Sequence, residues 1–257
     1  MKVLSDSVAI MGRLLRNLAR QPWWIAISLA QPIVYLLLYA QLFKRVVELP
    51  GFNASSYLTF VTPGIVVMTA LFGGGWNGMG IIQDLDRGIM DRFLVSPISR
   101  VALIAGRLLA LAVTTLIQSA ILLILATLLG ARFDGGVRGL VVLVVSGVLL
   151  ASPIAALSNA MALVLRRAES VIGASNFIIL PMTFLSPVFM AKALMPGWIQ
   201  TAASFNPVGW SVDAAREALQ AQPNWSIVMT RFVYLGGFAV LSAWLATRAF
   251  RSYQRSV

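Results

Sequence analysis

Six stretches of this chain, about residues 23–43, 58–82, 102–129, 139–165, 171–189 and 227–247, are apolar and close to or beyond the length that crosses a bilayer. A membrane core of about 30 Å needs about 20 residues of helix, and inside it every backbone polar group must find a partner within the protein. These stretches use most of the 257 residues and leave no stretch for a separate soluble core. Composition agrees, with 59% hydrophobic and 11% charged residues against about a quarter charged in soluble domains. The expected fold is therefore an all-α integral membrane protein with six transmembrane helices, forming a single domain over residues 1–257. With no cysteine and no histidine, the chain is excluded from disulfide frameworks, thiol nucleophiles, Cys/His zinc sites and His-ligated haem.

Three polar segments organise the rest. Residues 1–20 place Leu4, Val8, Met11, Leu15 and Leu18 on one helical face and Arg13, Arg16 and Arg20 on another, as expected of an interfacial amphipathic helix. Its charges are spread along the segment and the apolar run that follows is too long for a signal-peptide core. Residues 83–107, QDLDRGIMDRFLVSPISRVALIAGR, form the one densely charged interruption in the first two thirds of the chain. As a helix they would put Asp84, Arg87 and Asp91 on one face and Leu85, Ile89, Met90, Phe93 and Leu94 on the other, with Pro97 as the stop. A short amphipathic helix over residues 84–96 at the membrane surface suits the docking of a soluble partner. Residues 190–226 alternate apolar residues with breakers at Pro196-Gly197, Asn206-Pro207 and Pro223. They read either as two short outer-leaflet helices, residues 196–204 and 208–220, or as an ordinary external loop.

Within the spans, Gly73, Gly74, Gly75, Gly78 and Gly80 surround Trp76 and Asn77. Small residues at that density let helices approach closely, or let one bend. Pro32 predicts a kink, Ser152-Pro153 a break in the fourth span, and Pro181 and Pro187 fall inside the fifth. With both termini on the cytoplasmic side, thirteen of the 20 Lys and Arg residues fall inside, which obeys the positive-inside rule. The net charge of +11 is thus assigned to topology and anionic lipid rather than to nucleic acid.

The string Asp86-Arg87-Gly88-x-x-Asp91-Arg92-Phe93-Leu94-Val95-Ser96-Pro97-Ile98-Ser99-Arg100 resembles the cytoplasmic loop between the second and third spans of ABC type 2 exporter permeases, especially the daunorubicin-resistance permease family. Ile89 stands where that family usually has Thr, and Phe93 where it usually has Leu. The resemblance implies that the loop is a coupling helix seated on a separate ATP-hydrolysing subunit. Asp84, Asp86, Arg87, Asp91 and Arg92 would make its polar contacts, and Phe93 and Leu94 its apolar anchor. It also implies two permeases, identical or homologous, joined to two ATPase subunits that hold the ATP and magnesium, in a bacterial-type plasma membrane. The family has an outer-leaflet segment before its last span, and Asn206, Pro207, Asp213 and Arg216 echo its Asn-Pro and acidic-x-x-Arg pattern.

The residues themselves agree that energy must come from another chain. There is no G-x-x-x-x-G-K-[ST] phosphate loop, and the run GGGWNGMG lacks the lysine and lies inside a span. No Asp or Glu falls in the centre of a span, where ion-coupled carriers keep such groups for function. An apolar pathway favours a drug-like or lipid-like cargo over an ion. Candidate pathway residues are the polar or small side chains in apolar spans: Gln31, Tyr35, Asn77, Ser175, Asn176, Thr183 and Ser186. The alternative from a different class is a membrane-embedded transferase that holds magnesium through Asp84 and Asp86 and acts on a lipid diphosphate. A third reading, a scaffold that does not transport, would use the same loop.

Overall fold

The computed structural model describes residues 2–49, 54–89 and 100–254, and among them it contains helices and turns without strands. In chain order the helices are α1 (Lys2–Ala19), α2 (Pro22–Leu42), α3 (Tyr57–Gly75), α4 (Met79–Asp86) and α5 (Arg100–Leu128). They continue with α6 (Gly136–Leu165), α7 (Ala168–Phe184), α8 (Gly197–Phe205), α9 (Pro207–Ala218) and α10 (Trp225–Gln254). Short 3-10 turns lie at Lys44–Glu48 and Lys192–Leu194.

Among the described residues, five helical stretches are long and apolar enough to cross a membrane: Trp23–Leu42, Tyr57–Asp86, Val101–Leu128, Gly136–Leu165 and Trp225–Ala246. The stretch expected as the fifth of six spans is apolar but shorter, 17 residues over Ala168–Phe184. The expected span over residues 171–189 thus ends early. The helix stops ahead of Pro187, which has no N–H to continue the ladder and disfavours helical geometry in the residue before it.

The bundle is built around α3, which packs against α2, α5, α6, α7 and α9. Val61, Ile65, Val67 and Leu71 of α3 share one core with Leu122 of α5, Leu143 and Leu150 of α6 and Leu235 of α10, all fully buried. Outward-facing apolar residues such as Leu128, Phe177, Phe184 and Val240 are widely exposed, as expected of helices whose solvent is hydrocarbon. The glycines expected to permit close approach do so. A Cβ at Gly74 would sit 2.6 Å from the Ala151 carbonyl oxygen of α6, so only a residue without a side chain fits that crossing.

The second span bends, as its glycine cluster allowed: α3 ends at Gly75 and α4 begins at Met79, with Trp76, Asn77 and Gly78 as the joint. One further feature differs from the sequence reading. The fourth span is not broken, because α6 runs from Gly136 through Pro153 to Leu165. A proline inside a membrane helix is tolerated where its surroundings accommodate the freed backbone group, here the Leu149 carbonyl, and the helix continues on both sides of Pro153.

Candidate functional site

Helix α4 ends the second span and delivers Asp84 to a junction of three helices. The Asp84 carboxylate accepts a hydrogen bond from the Arg107 guanidinium of α5, and Arg13 of α1 lies 3.7 Å away. Arg107 also donates to the Gly80 carbonyl at 3.3 Å. Asp84 is 9% exposed and Arg107 4% exposed, and charges that deep are tolerable because they are paired. Packing supports the same junction, with Gly106 of α5 abutting Ile10 and the Ser7 carbonyl of α1.

This corrects the expected faces of α1. Leu4 and Val8 are exposed, while Ser7 and Ile10 are buried against α5, so the helix carries a third, packed face. Arg13, read as part of a solvent face, turns to Asp84. Arg107 counted in the sequence merely as an inside charge. Its acceptors, Asp84 and the Gly80 carbonyl, stand 23 and 27 positions before it, beyond the reach of any helical periodicity.

The segment expected to form a coupling helix falls partly within the described residues. Helix α4 ends at Asp86, and Gly88 has a left-handed φ of 62°, so one continuous helix through Asp84, Arg87 and Asp91 does not form. Asp86 and Arg87 are exposed beyond the junction. Asp91, Arg92, Phe93 and Leu94 lie outside the described residues. The transferase reading fails on this geometry. Asp84 faces guanidinium groups rather than open space, and no group of three acidic, Cys or His residues that could hold a metal occurs among the described residues.

The joint between α3 and α4 is held from two other helices. Ser158 of α6 and Ser175 of α7 both donate to the Gly75 carbonyl, Ser175 at 2.8 Å. The Gly78 N–H in turn donates to the Ser158 hydroxyl at 3.0 Å. Ser175, a pathway candidate, is therefore a buried clasp on a broken helix.

Beside that joint, on the surface shared by α2, α3 and α5, lies a pocket of about 50 Å³. Ser28, Gln31, Thr69, Phe72, Trp76 and Gln118 line it, with Pro32, Met68 and Gly73. Gln118 donates to the Ser28 hydroxyl at 2.8 Å, and Gln31 to the Tyr35 hydroxyl at 2.9 Å. Amides and hydroxyls against aromatic and aliphatic walls can orient an amphiphile while its apolar body stays in hydrocarbon. Of the candidates, Gln31 lines this pocket, Tyr35 adjoins it through a hydrogen bond, and Asn77 follows Trp76 in the joint. Thr183 and Ser186 are buried with their hydroxyls on the carbonyls of Ile179 and Thr183. Asn176 is half-buried on α7, away from the pocket lining. Sequence reasoning passed over Ser28, Thr69 and Gln118, although Gln118 met the same criterion as Gln31.

On the opposite side, the abrupt end of α7 leaves carbonyls that residues 206–216 satisfy. Asn206 donates to the Met182 and Leu185 carbonyls at 2.7 and 2.9 Å, while its side-chain oxygen accepts from the Val208 N–H and caps α9. Arg216 donates to the carbonyls of Phe60, Pro187 and Val188 at 3.2, 2.6 and 2.9 Å, and its guanidinium sits 3.6 Å over the Phe60 ring. Burial lowers the Arg216 pKa to about 9, with Asp213 acting in the opposite sense. Asp213 pairs with Arg231 at 3.0 Å, and burial raises its carboxyl while Arg231 works to lower it.

Comparison with known proteins bears on this arrangement. A family model described as ABC-2 type transporter matches residues 7–220, from α1 to the end of α9. The chain is 28% identical over 222 residues to the daunorubicin resistance ABC transporter permease protein DrrB1 of Streptomyces coeruleorubidus, covering 86% of this chain and 77% of that one. It is 24% identical over 232 residues to DrrC of Mycobacterium tuberculosis, named as a doxorubicin resistance ABC transporter permease, covering 90% and 83%. It is 26% identical over 223 residues to the transport permease ycf38 of Cyanophora paradoxa, covering 86% and 76%.

Proposed function

Because the chain belongs to the ABC-2 type transporter family, we propose that it is the permease subunit of an ATP-driven exporter that moves a hydrophobic or amphiphilic compound out of the cytoplasm. Relatives named for daunorubicin and doxorubicin resistance support that class of cargo. The pocket beside Gln31 and Gln118 has the mixed lining such a molecule needs. Two separate ATPase subunits hold the ATP and magnesium, and a second permease, identical or homologous, completes the complex.

In this reading the chain crosses a bacterial-type plasma membrane six times with both termini in the cytoplasm, as one transmembrane domain. Helix α7 makes the fifth crossing. Its 17 residues reach about 25 Å at 1.5 Å per residue, and the stretch capped by Asn206 and Arg216 completes the passage. Helix α1 lies on the cytoplasmic surface, residues 84–96 carry the coupling contact, and α8 and α9 lie in the outer leaflet.

The observation that carries the mechanism is the junction of Asp84 with Arg107 and Arg13. A displacement applied at Asp86, Arg87, Asp91 and Arg92, anchored by Phe93 and Leu94, reaches Asp84 within a few residues. There it acts on α1 and α5 together. The α3–α4 joint, clasped by Ser158 and Ser175, is where the second span can bend in response and alter the pocket around Trp76.

The test is co-purification of this chain with the ATPase encoded beside it, followed by ATP hydrolysis and transport with the Arg87→Glu/Arg92→Glu variant. Loss of association or of coupled transport, with the variant still in the membrane, is expected. Wild-type transport by that variant would overturn the reading.

A further inference from the structure

A second cavity, of about 40 Å³, lies between α4, α5, α6 and α10, on a different set of helices from the pocket beside Gln31. Its walls are mostly apolar, with Ile81, Leu103, Ile104 and Leu163 among them. Two polar side chains also line it, Asn159 of α6 and Arg107 of α5, each 4% exposed. The Asn159 amide has no hydrogen-bond partner for either its oxygen or its nitrogen among the described residues, and the Arg107 Nε has none either. A buried amide with both ends unmet is costly in any protein and more so in a bilayer, so it calls for an occupant. The occupant must bring an acceptor for the two N–H groups and a donor for the amide oxygen.

Three further observations narrow its chemistry. Two guanidiniums, Arg107 and Arg13, lie at the Asp84 carboxylate, so the cavity borders cationic N–H donors, which suit an anionic acceptor. Gly106 abuts α1, so Arg107 lies at the level of the helix assigned to the cytoplasmic surface, where head groups sit. The apolar walls suit a glycerol and upper acyl chain, which a free anion lacks. The volume admits the end of a head group, one or two groups of water size.

We propose that this cavity binds the head group of an inner-leaflet phospholipid. Its phosphate accepts from Asn159 Nδ2 and Arg107 Nε, and a head-group hydroxyl or ammonium donates to Asn159 Oδ1. The site adjoins Asp84, so an occupied cavity braces the junction on which coupling depends. The assignment to the inner leaflet rests on the orientation proposed above. Side-specific labelling of a Ser5→Cys variant checks that orientation separately, in a chain with no cysteine of its own.

The binding test uses the purified full chain in detergent and measures, by native mass spectrometry, retention of phosphatidylglycerol against phosphatidylcholine, whose quaternary ammonium has no proton to donate. Wild type is expected to retain phosphatidylglycerol about tenfold better, the worth of one such hydrogen bond. Asn159→Leu should abolish the preference. Ile104→Trp, which enlarges a lining side chain and leaves Asn159 in place, should abolish retention of both lipids. Three outcomes would each overturn the proposal: no head-group preference in wild type, a preference that survives Asn159→Leu, or displacement of the lipid by inorganic phosphate alone, which would mark a free-anion or water site.

Discussion

Arginine appears at both ends of this bundle in apolar surroundings, and the two are satisfied in different ways. Arg107 meets a side chain, the carboxylate of Asp84, with Arg13 close by. Arg216 meets the backbone, donating to three carbonyls of a helix end and its neighbour. Carbonyls are fixed by the chain that bears them, so the Arg216 arrangement has one geometry. Three side chains from three helices can exchange partners when those helices shift. One end of the molecule is therefore built as a clamp, and the other as a joint that can be remade. The transport reading needs that asymmetry, since force enters at one side and some part of the bundle must stay put.

Arg216→Leu should give the largest effect. It leaves the Pro187, Val188 and Phe60 carbonyls without their donor, at an expected loss on the order of 4 kcal/mol, read as lost yield and a lowered thermal midpoint in detergent. Arg216→Lys should recover part of this, because an ammonium cannot fork across three carbonyls.

At the joint, Asp84→Asn removes the counter-charge of a buried arginine and should cost about 3 kcal/mol. The double variant Asp84→Leu/Arg107→Leu should fold better than the single one, and a complex containing it should hydrolyse ATP at its ATPase subunits without transport. Full transport by that double variant would break the contrast and make the junction a second clamp.

The clasp on the Gly75 carbonyl is redundant. Ser158→Ala or Ser175→Ala alone should cost about 0.6 kcal/mol, and the pair more than the sum, because the carbonyl then loses both donors. A denaturant series on the three variants measures this.

The smallest effect belongs to Asp213→Asn. Its pair with Arg231 is partly exposed, and such pairs contribute up to about 1 kcal/mol. Burial raises the Asp213 pKa, so the folded state disfavours the carboxylate, and this group's contribution weakens as pH rises through that raised value. The Asn variant should therefore be neutral to slightly stabilising near pH 7. Its advantage should disappear on acidification, where the wild-type side chain is also uncharged, as thermal midpoints across pH would record.

Much of the architecture was legible because membrane helices announce themselves locally. Most span boundaries fall within a few residues of those read from apolar runs, since the length of a bilayer crossing and the need to satisfy the backbone act on each segment alone. The glycine cluster at Gly73 to Gly80 signalled close approach or a bend, and both occur. Pro153 and Pro187 misled in opposite directions. Each breaks the backbone ladder to the same degree, but one is absorbed within α6 while the other falls beyond the end of α7, and neither outcome is written in the residues beside them.

Asn206 and Arg216 were legible as a pattern without their purpose, because the carbonyls they hold belong to chain segments tens of residues away. Arg107 and Arg13 looked like ordinary inside charges for the same reason. The sequence by itself determined the solvent and the helices, because hydrophobic length is a property of single segments. Only the tertiary structure decided which arginine meets Asp84, which carbonyls need Arg216, and that Asn159 faces a cavity. Those are meetings between segments, fixed when the helices pack.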